Sequence, residues 1–142
     1  MRLLPLPEPF KRYNMKKVAF FSEMLIEDFD GASRTMFQLI NRIDQFSYSY
    51  FFIYGVGPED FGNFKSLKVP TLRIPINDDY FIAVPQLAKN KIEQALDNFQ
   101  PDVIHIATPS MLGFFALKYA KRRNIPVISI YHTHFISYIA YY

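Results

Sequence analysis

Cysteine and tryptophan are absent from this sequence of 142 residues, and glycine occurs only five times. The lack of cysteine excludes a disulfide scaffold, a thiolate zinc site and a cysteine nucleophile. It also fits a reducing compartment, so a cytoplasmic setting is expected. No apolar run approaches the roughly 18 residues of a membrane span. An excess of one charge is missing too. Sixteen Lys+Arg against 13 Asp+Glu leave +3, too little to point to nucleic acid as a partner. The few glycines form no GxxxxGK[ST] and no GxGxxG. A P-loop NTPase and an NAD-binding enzyme therefore both lack their phosphate loop. No GxSxG elbow presents a serine nucleophile either.

Apolar side chains are what the sequence has in quantity. They make up 50% of it, with 15 Phe and 10 Tyr. At this length a single domain buries about 69% of its unfolded surface, enough for a core without staples. Residues 1–14 stand apart, because Pro5, Pro7 and Pro9 exclude a helix or a central strand. They are expected to be a disordered extension ahead of a second start at Met15.

From Lys17 onward strand and helix patterns alternate. Val18–Ser22 reads as the first strand. Gly31 opens a helix whose Met36, Leu39, Ile40 and Ile43 share one face. Residues 47–56 form a second strand, and a polar loop then runs to Lys68. Thr71–Ile76 reads as a third, edge strand. Leu87, Ala88, Ile92, Ala95, Leu96 and Phe99 make a second helical stripe, stopped by Pro101. A fourth strand spans 102–107. Thr108-Pro109 starts a helix that ends in Lys121, Arg122 and Arg123, where cations suit the dipole. Pro126–His132 is the fifth strand. Apolar runs of this kind predict a doubly wound, parallel, Rossmann-like α/β sheet in order 3-2-1-4-5. Ligands of such sheets sit beyond the carboxyl ends of the strands, where the winding reverses. Loops 23–32, 108–111 and 132–135 are the places to search.

In the first loop, Gly31 at a helix start lets a phosphate approach backbone N–H groups, with Arg34 and Thr35 as added donors. In the second, His105 reads as a core histidine and Ser110 as a helix-start residue. In the third, His132 and His134 are two positions apart and share a side of an extended chain. A metal would need further ligands, and nothing fixes the spacing of Glu23, Asp28 or His105 to them. Histidine acting by hydrogen bonding is the stronger reading. Asp78-Asp79 reads as a solvated turn. A phospho-receiver domain fails, because the third strand ends in Pro-Ile-Asn without an Asp and no Lys follows the fifth.

The glycine-led helix, then PDVIHIATPSMLGFFALKYAKRRNIPVISIYHTHF, resembles the N-terminal domain of family-4 glycosyltransferases over residues 15–142. It is most similar to the mannosyl-, glucosyl- and sulfoquinovosyl-transferase branch. The resemblance implies one half of a GT-B fold, in which two Rossmann-like domains face each other across a cleft. It implies transfer of a sugar from a nucleotide donor with retention of configuration, without an obligatory metal or other cofactor. It places Gly31 at the donor diphosphate, with Asp30 where many relatives carry a second glycine. His132 matches the histidine credited with positioning and transition-state stabilisation, and Thr133 its companion. His134 stands where Asp is frequent. Ser110 and Tyr138 fall where an acceptor makes contact.

Family members run to nearly three times this length, and their second domain carries most donor contacts, including paired glutamates. Residues 15–142 are thus expected to be an acceptor-side domain, C-terminally truncated and without turnover of its own. The partners implied are a nucleotide sugar, a glycan or lipid acceptor, the missing C-terminal domain and a peripheral membrane contact. Self-association through the aromatic end (Phe135, Tyr138, Tyr141, Tyr142) is expected as well. The alternative is a degenerate or partner-dependent α/β binding module.

Overall fold

The structure, a computed structural model, describes residues 15–75 and 81–130. The extension over residues 1–14, and the aromatic end with His132, Thr133, His134 and Tyr138, lie outside these residues.

Strand β1 (Lys16–Met24) carries five consecutive buried residues, as expected of a strand covered on both faces. Helix α1 (Gly31–Ile40) follows, then β2 (Tyr48–Val56) and the short β3 (Lys65–Lys68). A hairpin of β4 (Thr71–Arg73) and β5 (Phe81–Ala83) precedes a 3-10 turn at Pro85–Ala88 and helix α2 (Lys89–Phe99). Strand β6 (Val103–Ile106), helix α3 (Met111–Arg123) and strand β7 (Val127–Ser129) complete the described chain. The main sheet has five strands in the order β3-β2-β1-β6-β7, all parallel. The doubly wound order expected from the sequence is therefore present, with β1 at its centre.

Alternation along the strands sorts the core into two layers. Ala19, Phe21, Phe51, Ile53, Ile104 and Ile106 face α2 and α3, meeting Ile92, Leu96, Leu112 and Phe115. Phe20, Phe52 and Tyr54 face the other way, onto Met36 and Ile40 of α1. On that second face Phe52 packs its ring on Phe20 at 5.3 Å, Phe61 at 4.7 Å and Phe64 at 5.2 Å.

Four local expectations need correction. The edge strand of the sheet is Lys65–Lys68, paired with β2, inside what reads as a polar loop. An edge strand needs only one buried side, so its polar KSLK sequence hides it. The expected edge strand at Thr71–Ile76 is instead the start of the hairpin, where Thr71–Arg73 pairs antiparallel with Phe81–Ala83 in a separate two-stranded sheet. Leu39 and Leu87 are 40% and 65% exposed, so neither belongs to its buried stripe. Leu87 lies in the 3-10 turn, whose three residues per turn break the α-helical phase. Finally, α3 is capped by Ser110 and not by Thr108. The Thr108 hydroxyl accepts the Glu23 N–H at 2.9 Å instead, and the Ser110 Oγ takes the Gly113 N–H of the first turn.

Candidate functional site

The carboxyl ends of β1 and β6 lie side by side. Phe21 pairs with Ile106, and the Ala107 N–H donates to the Phe21 carbonyl at 2.9 Å. The Glu23–Thr108 bond closes the same edge one step further out. Helix α1 leaves from the β1 side and α3 from the β6 side, so two helix N-termini open on the point where the winding reverses.

At the first, Gly31 begins α1 with nothing within 4 Å of the position a Cβ would take. The space a phosphate would need beside its backbone is open. Asp30 is the N-cap, and its Oδ1 accepts the Ser33 N–H at 2.7 Å. One of the orphan donors of the first turn is thus already taken by an anion of the chain itself. The Thr35 hydroxyl turns back to the Gly31 carbonyl at 3.0 Å, so its proton is not offered outward. Arg34 is exposed on the same first turn.

At the second, the Ser110 Oγ accepts the Gly113 N–H at 3.1 Å. Gly113 is required by packing, since a Cβ there would meet the Thr108 carbonyl at 2.7 Å. This brings the first turn of α3 hard against the end of β6. Ser110 touches Glu23 on its other side. The Glu23 carboxylate accepts the Ala83 N–H through Oε1, while the buried Oε2 makes no full hydrogen bond. Burial pushes the Glu23 pKa up, and the Ala83 N–H and the Ser110 hydroxyl pull against it without cancelling it. Glu23 thereby ties β1, β5 and α3 together at the site edge. By sequence alone Glu23 stands out only as one conceivable metal ligand. The signal available was a lone carboxylate at the end of an apolar strand.

His105 is buried, its ring 4.6 Å from that of Phe20, in keeping with a core histidine. Among the described residues no group of three or more His, Asp or Glu could hold a metal ion. The structure brings the Gly31–Arg34 turn and Ser110 to one sheet edge. It says nothing of His132, Thr133, His134 and Tyr138. A cavity of about 480 Å³ lined by Lys17, Tyr48, Tyr50 and Lys65 opens at the opposite, amino edge, away from these loops.

Known proteins are similar to this chain in sequence and in fold. Over 124 residues the chain is 28% identical to a GDP-mannose-dependent alpha-mannosyltransferase of Corynebacterium glutamicum, covering 82% of this chain and 29% of that protein. It is 23% identical over 128 residues to the alpha-monoglucosyldiacylglycerol synthase of Streptococcus pneumoniae, covering 88% of this chain and 28% of that one. The chain thus spans less than a third of the length of these relatives. In fold it is similar to a glycosyltransferase from Rickettsia africae ESF-5, with a TM-score of 0.54 at 13% identity, over 92% of this chain and 34% of that one. The model of Glycosyltransferase Family 4 matches residues 29–142, and the chain belongs to that family.

Proposed function

We propose that this chain is the acceptor-side half of a retaining glycosyltransferase that moves a sugar from a nucleotide-sugar donor to a sugar or lipid-type acceptor. The family match over residues 29–142 carries this reading. The names of the relatives supply the chemistry, a GDP-mannose donor in one and a glucosylated diacylglycerol in the other. In this reading the α1 N-terminus at Gly31 and Arg34 faces the donor diphosphate. Ser110, Thr133, His134 and Tyr138 face the acceptor. His132 orients the reacting groups and offsets charge developing at the transferred sugar. No metal is assigned a role.

Binding by this half alone is expected to be weak. One helix N-terminus contributes about 1–2 kcal/mol in a partly buried geometry, far from the roughly −8 kcal/mol of a micromolar site. Turnover needs groups from both walls of a cleft placed together. Calorimetric titration of the 142-residue chain with nucleotide sugars, together with a radiolabel transfer assay, tests this. Millimolar or weaker binding and no transfer are expected. A micromolar Kd, or transfer to any acceptor, would place the donor site within this chain and overturn the half-enzyme reading.

One observation favours the second reading, a partner-dependent or degenerate binding module. The Asp30 carboxylate caps the helix at which a donor phosphate would dock. An anion there both competes for the N–H groups and repels a diphosphate. If so, transfer would stay absent in the full-length protein while its fold remained intact.

A further inference from the structure

The amino edge of the main sheet, opposite the site described above, carries aromatic faces that the core does not use up. Tyr48, Tyr50 and Phe52 alternate onto one side of β2, with ring centres 6.5 Å and then 5.6 Å apart. Phe52 is fully buried and Tyr48 is 44% exposed, so the row runs from the core out to the surface. Phe46, in the turn just before β2, is 90% exposed. Aromatic groups gathered in this way at a surface mark a contact.

The groove of about 480 Å³ at this edge lies among them, walled by Tyr48, Tyr50 and Phe64 and charged by Lys17 and Lys65. Every polar side chain among its described lining residues carries a hydrogen-bond donor, and no carboxylate is among them. The ammonium groups of Lys17 and Lys65 lie 6.0 and 5.7 Å from the centre of the same Phe99 ring. None of the described ion pairs takes either lysine. Two acids of nearby loops are already engaged. Asp44 accepts the Phe46 N–H at 3.0 Å and the Ser47 hydroxyl at 2.6 Å, and Asp102 accepts the Lys17 N–H at 2.8 Å. The carbonyl end of α2 explains cations here, but it does not explain the uncovered rings. Met15 also lines the groove, so residues 1–14 join the described chain at its rim.

We propose that this groove is the docking site of residues 4–10 of the same chain, LPLPEPF. By sequence alone that stretch has nothing to pack on, and the groove supplies the missing surface. Its three prolines lack N–H groups and favour extended backbone at Leu4, Leu6 and Glu8 before them. A polyproline II strand of this kind leaves its carbonyls free to accept. Aromatic walls with donors between them are what such a strand docks against. Pro7, Pro9 and Phe10 lie on the rings, and Glu8, the only acid in residues 1–14, meets Lys17 and Lys65. The basic residues of the segment, Arg2, Lys11 and Arg12, fall outside the docked stretch. Residues 11–14 span at most about 14 Å between it and Met15. That tether holds the stretch at a roughly millimolar effective concentration, so a weak contact suffices. A foreign peptide of like chemistry lacks the tether, which selects the chain's own segment. The proposal goes beyond the transfer reading and does not depend on it.

The lack of cysteine lets a single nitroxide label be placed through Leu3→Cys in the 142-residue chain. Paramagnetic broadening of backbone amide signals then reports where the labelled end rests. The signals of Tyr48, Tyr50 and Lys65 should broaden strongly, and those of Thr108 and Ser110 at the other edge should not. A tether alone broadens signals next to Met15, so substitutions decide. Tyr48→Ser, Lys65→Glu, and Pro7→Gly with Pro9→Gly should each weaken the broadening at Tyr50 severalfold. Lys121→Glu makes the same change of charge elsewhere and should leave it as it was. Tyr48, Lys65 and Lys121 are exposed, so thermal melting should show those variants folded. Broadening left unchanged by the substitutions, or absent at Tyr50 from the start, overturns the proposal. So does an equal loss in the Lys121→Glu control, which would reduce the effect to net charge. A mixture of isotope-labelled chain without nitroxide and nitroxide-bearing chain without isotope label should show no broadening at Tyr50. Broadening there would give the groove to the segment of a second copy and overturn docking within one chain. No nucleotide sugar enters the measurement, so its failure leaves the transfer reading standing.

Discussion

Two carboxylates at the carboxyl edge of β1 do different work, and each can be tested by an amide. Glu23 is partly desolvated and its pKa is raised. The folded state therefore holds the proton more tightly than the unfolded chain, whose glutamates titrate near pH 4.3. The ionised group's contribution becomes less favourable as pH rises from that value through the folded pKa, then levels off. Glu23→Gln keeps an oxygen for the Ala83 N–H and removes the charge. It is expected to melt like wild type under acid conditions and above it at pH 7, by a modest margin since the site is partly solvated. Thermal melts across that range check the crossover. Asp30→Asn keeps an N-cap acceptor and removes the anion from the α1 terminus. If Gly31 faces a diphosphate, the variant should bind a nucleotide sugar roughly three- to tenfold more tightly than wild type, read by titration. No change would detach the α1 terminus from donor binding. Gly113→Ala is the strictest single change, because its Cβ would also meet Ile106 Cγ2 at 3.0 Å. Overpacking of this kind costs about 1–3 kcal/mol, measurable by urea denaturation.

Element by element, the helices are held by devices of different strength. Helix α3 has a side-chain cap at Ser110, three basic residues in its last turn, and a left-handed Asn124 (φ 54°) closing its end. It is also joined to α2, where the Tyr119 hydroxyl donates to Asp97 at 2.7 Å and Arg123 reaches the same carboxylate at 3.0 Å. Desolvation and the Asp97 carboxylate together push the Tyr119 pKa up, so that hydroxyl stays a donor across the physiological range. Helix α2 has no side-chain cap and relies on the preceding 3-10 turn and on its buried Ile92, Leu96 and Phe99. Ser110→Ala should cost about 1 kcal/mol, and Ser110→Asn should restore most of it, since an amide oxygen also caps and its N–H still suits the neighbouring Glu23 carboxylate. A urea midpoint series over the three proteins checks this. Recovery by Asn marks the cap as the structural role of Ser110, separate from any contact with an acceptor.

Across the whole molecule, stability rests on two layers of unequal cover. One face of the sheet is closed by α2 and α3. On the other, α1 is joined by Phe61 and Phe64 from the segment between β2 and β3, so that a short aromatic loop replaces a second helix. Phe52 sits at the centre of that cluster, fully buried. Phe52→Ala should therefore cost about 3–5 kcal/mol, a large part of the stability of a domain this size. A smaller loss in urea would mean that the aromatic loop collapses into the space.

The alternation of strands and helices, the parallel doubly wound class and the family were legible in the sequence. Runs such as VAFFS and DVIHIA, the helical stripes and the TPSMLG segment are local signals that survive any tertiary arrangement. The placing of Gly31 and Ser110 at helix starts was legible for the same reason, since capping is chemistry of a few neighbouring residues. Tertiary structure alone decided that KSLK is the edge strand and that Thr71–Arg73 pairs with Phe81–Ala83, because strand partners are set by distant backbone groups and not by local pattern. It moved the α3 cap from Thr108 to Ser110 by giving the threonine hydroxyl to Glu23, 85 residues away in sequence. It also turned Leu39 and Leu87 outward. Helical periodicity reports which residues share a face; only packing decides which faces meet the core and which are left for a partner.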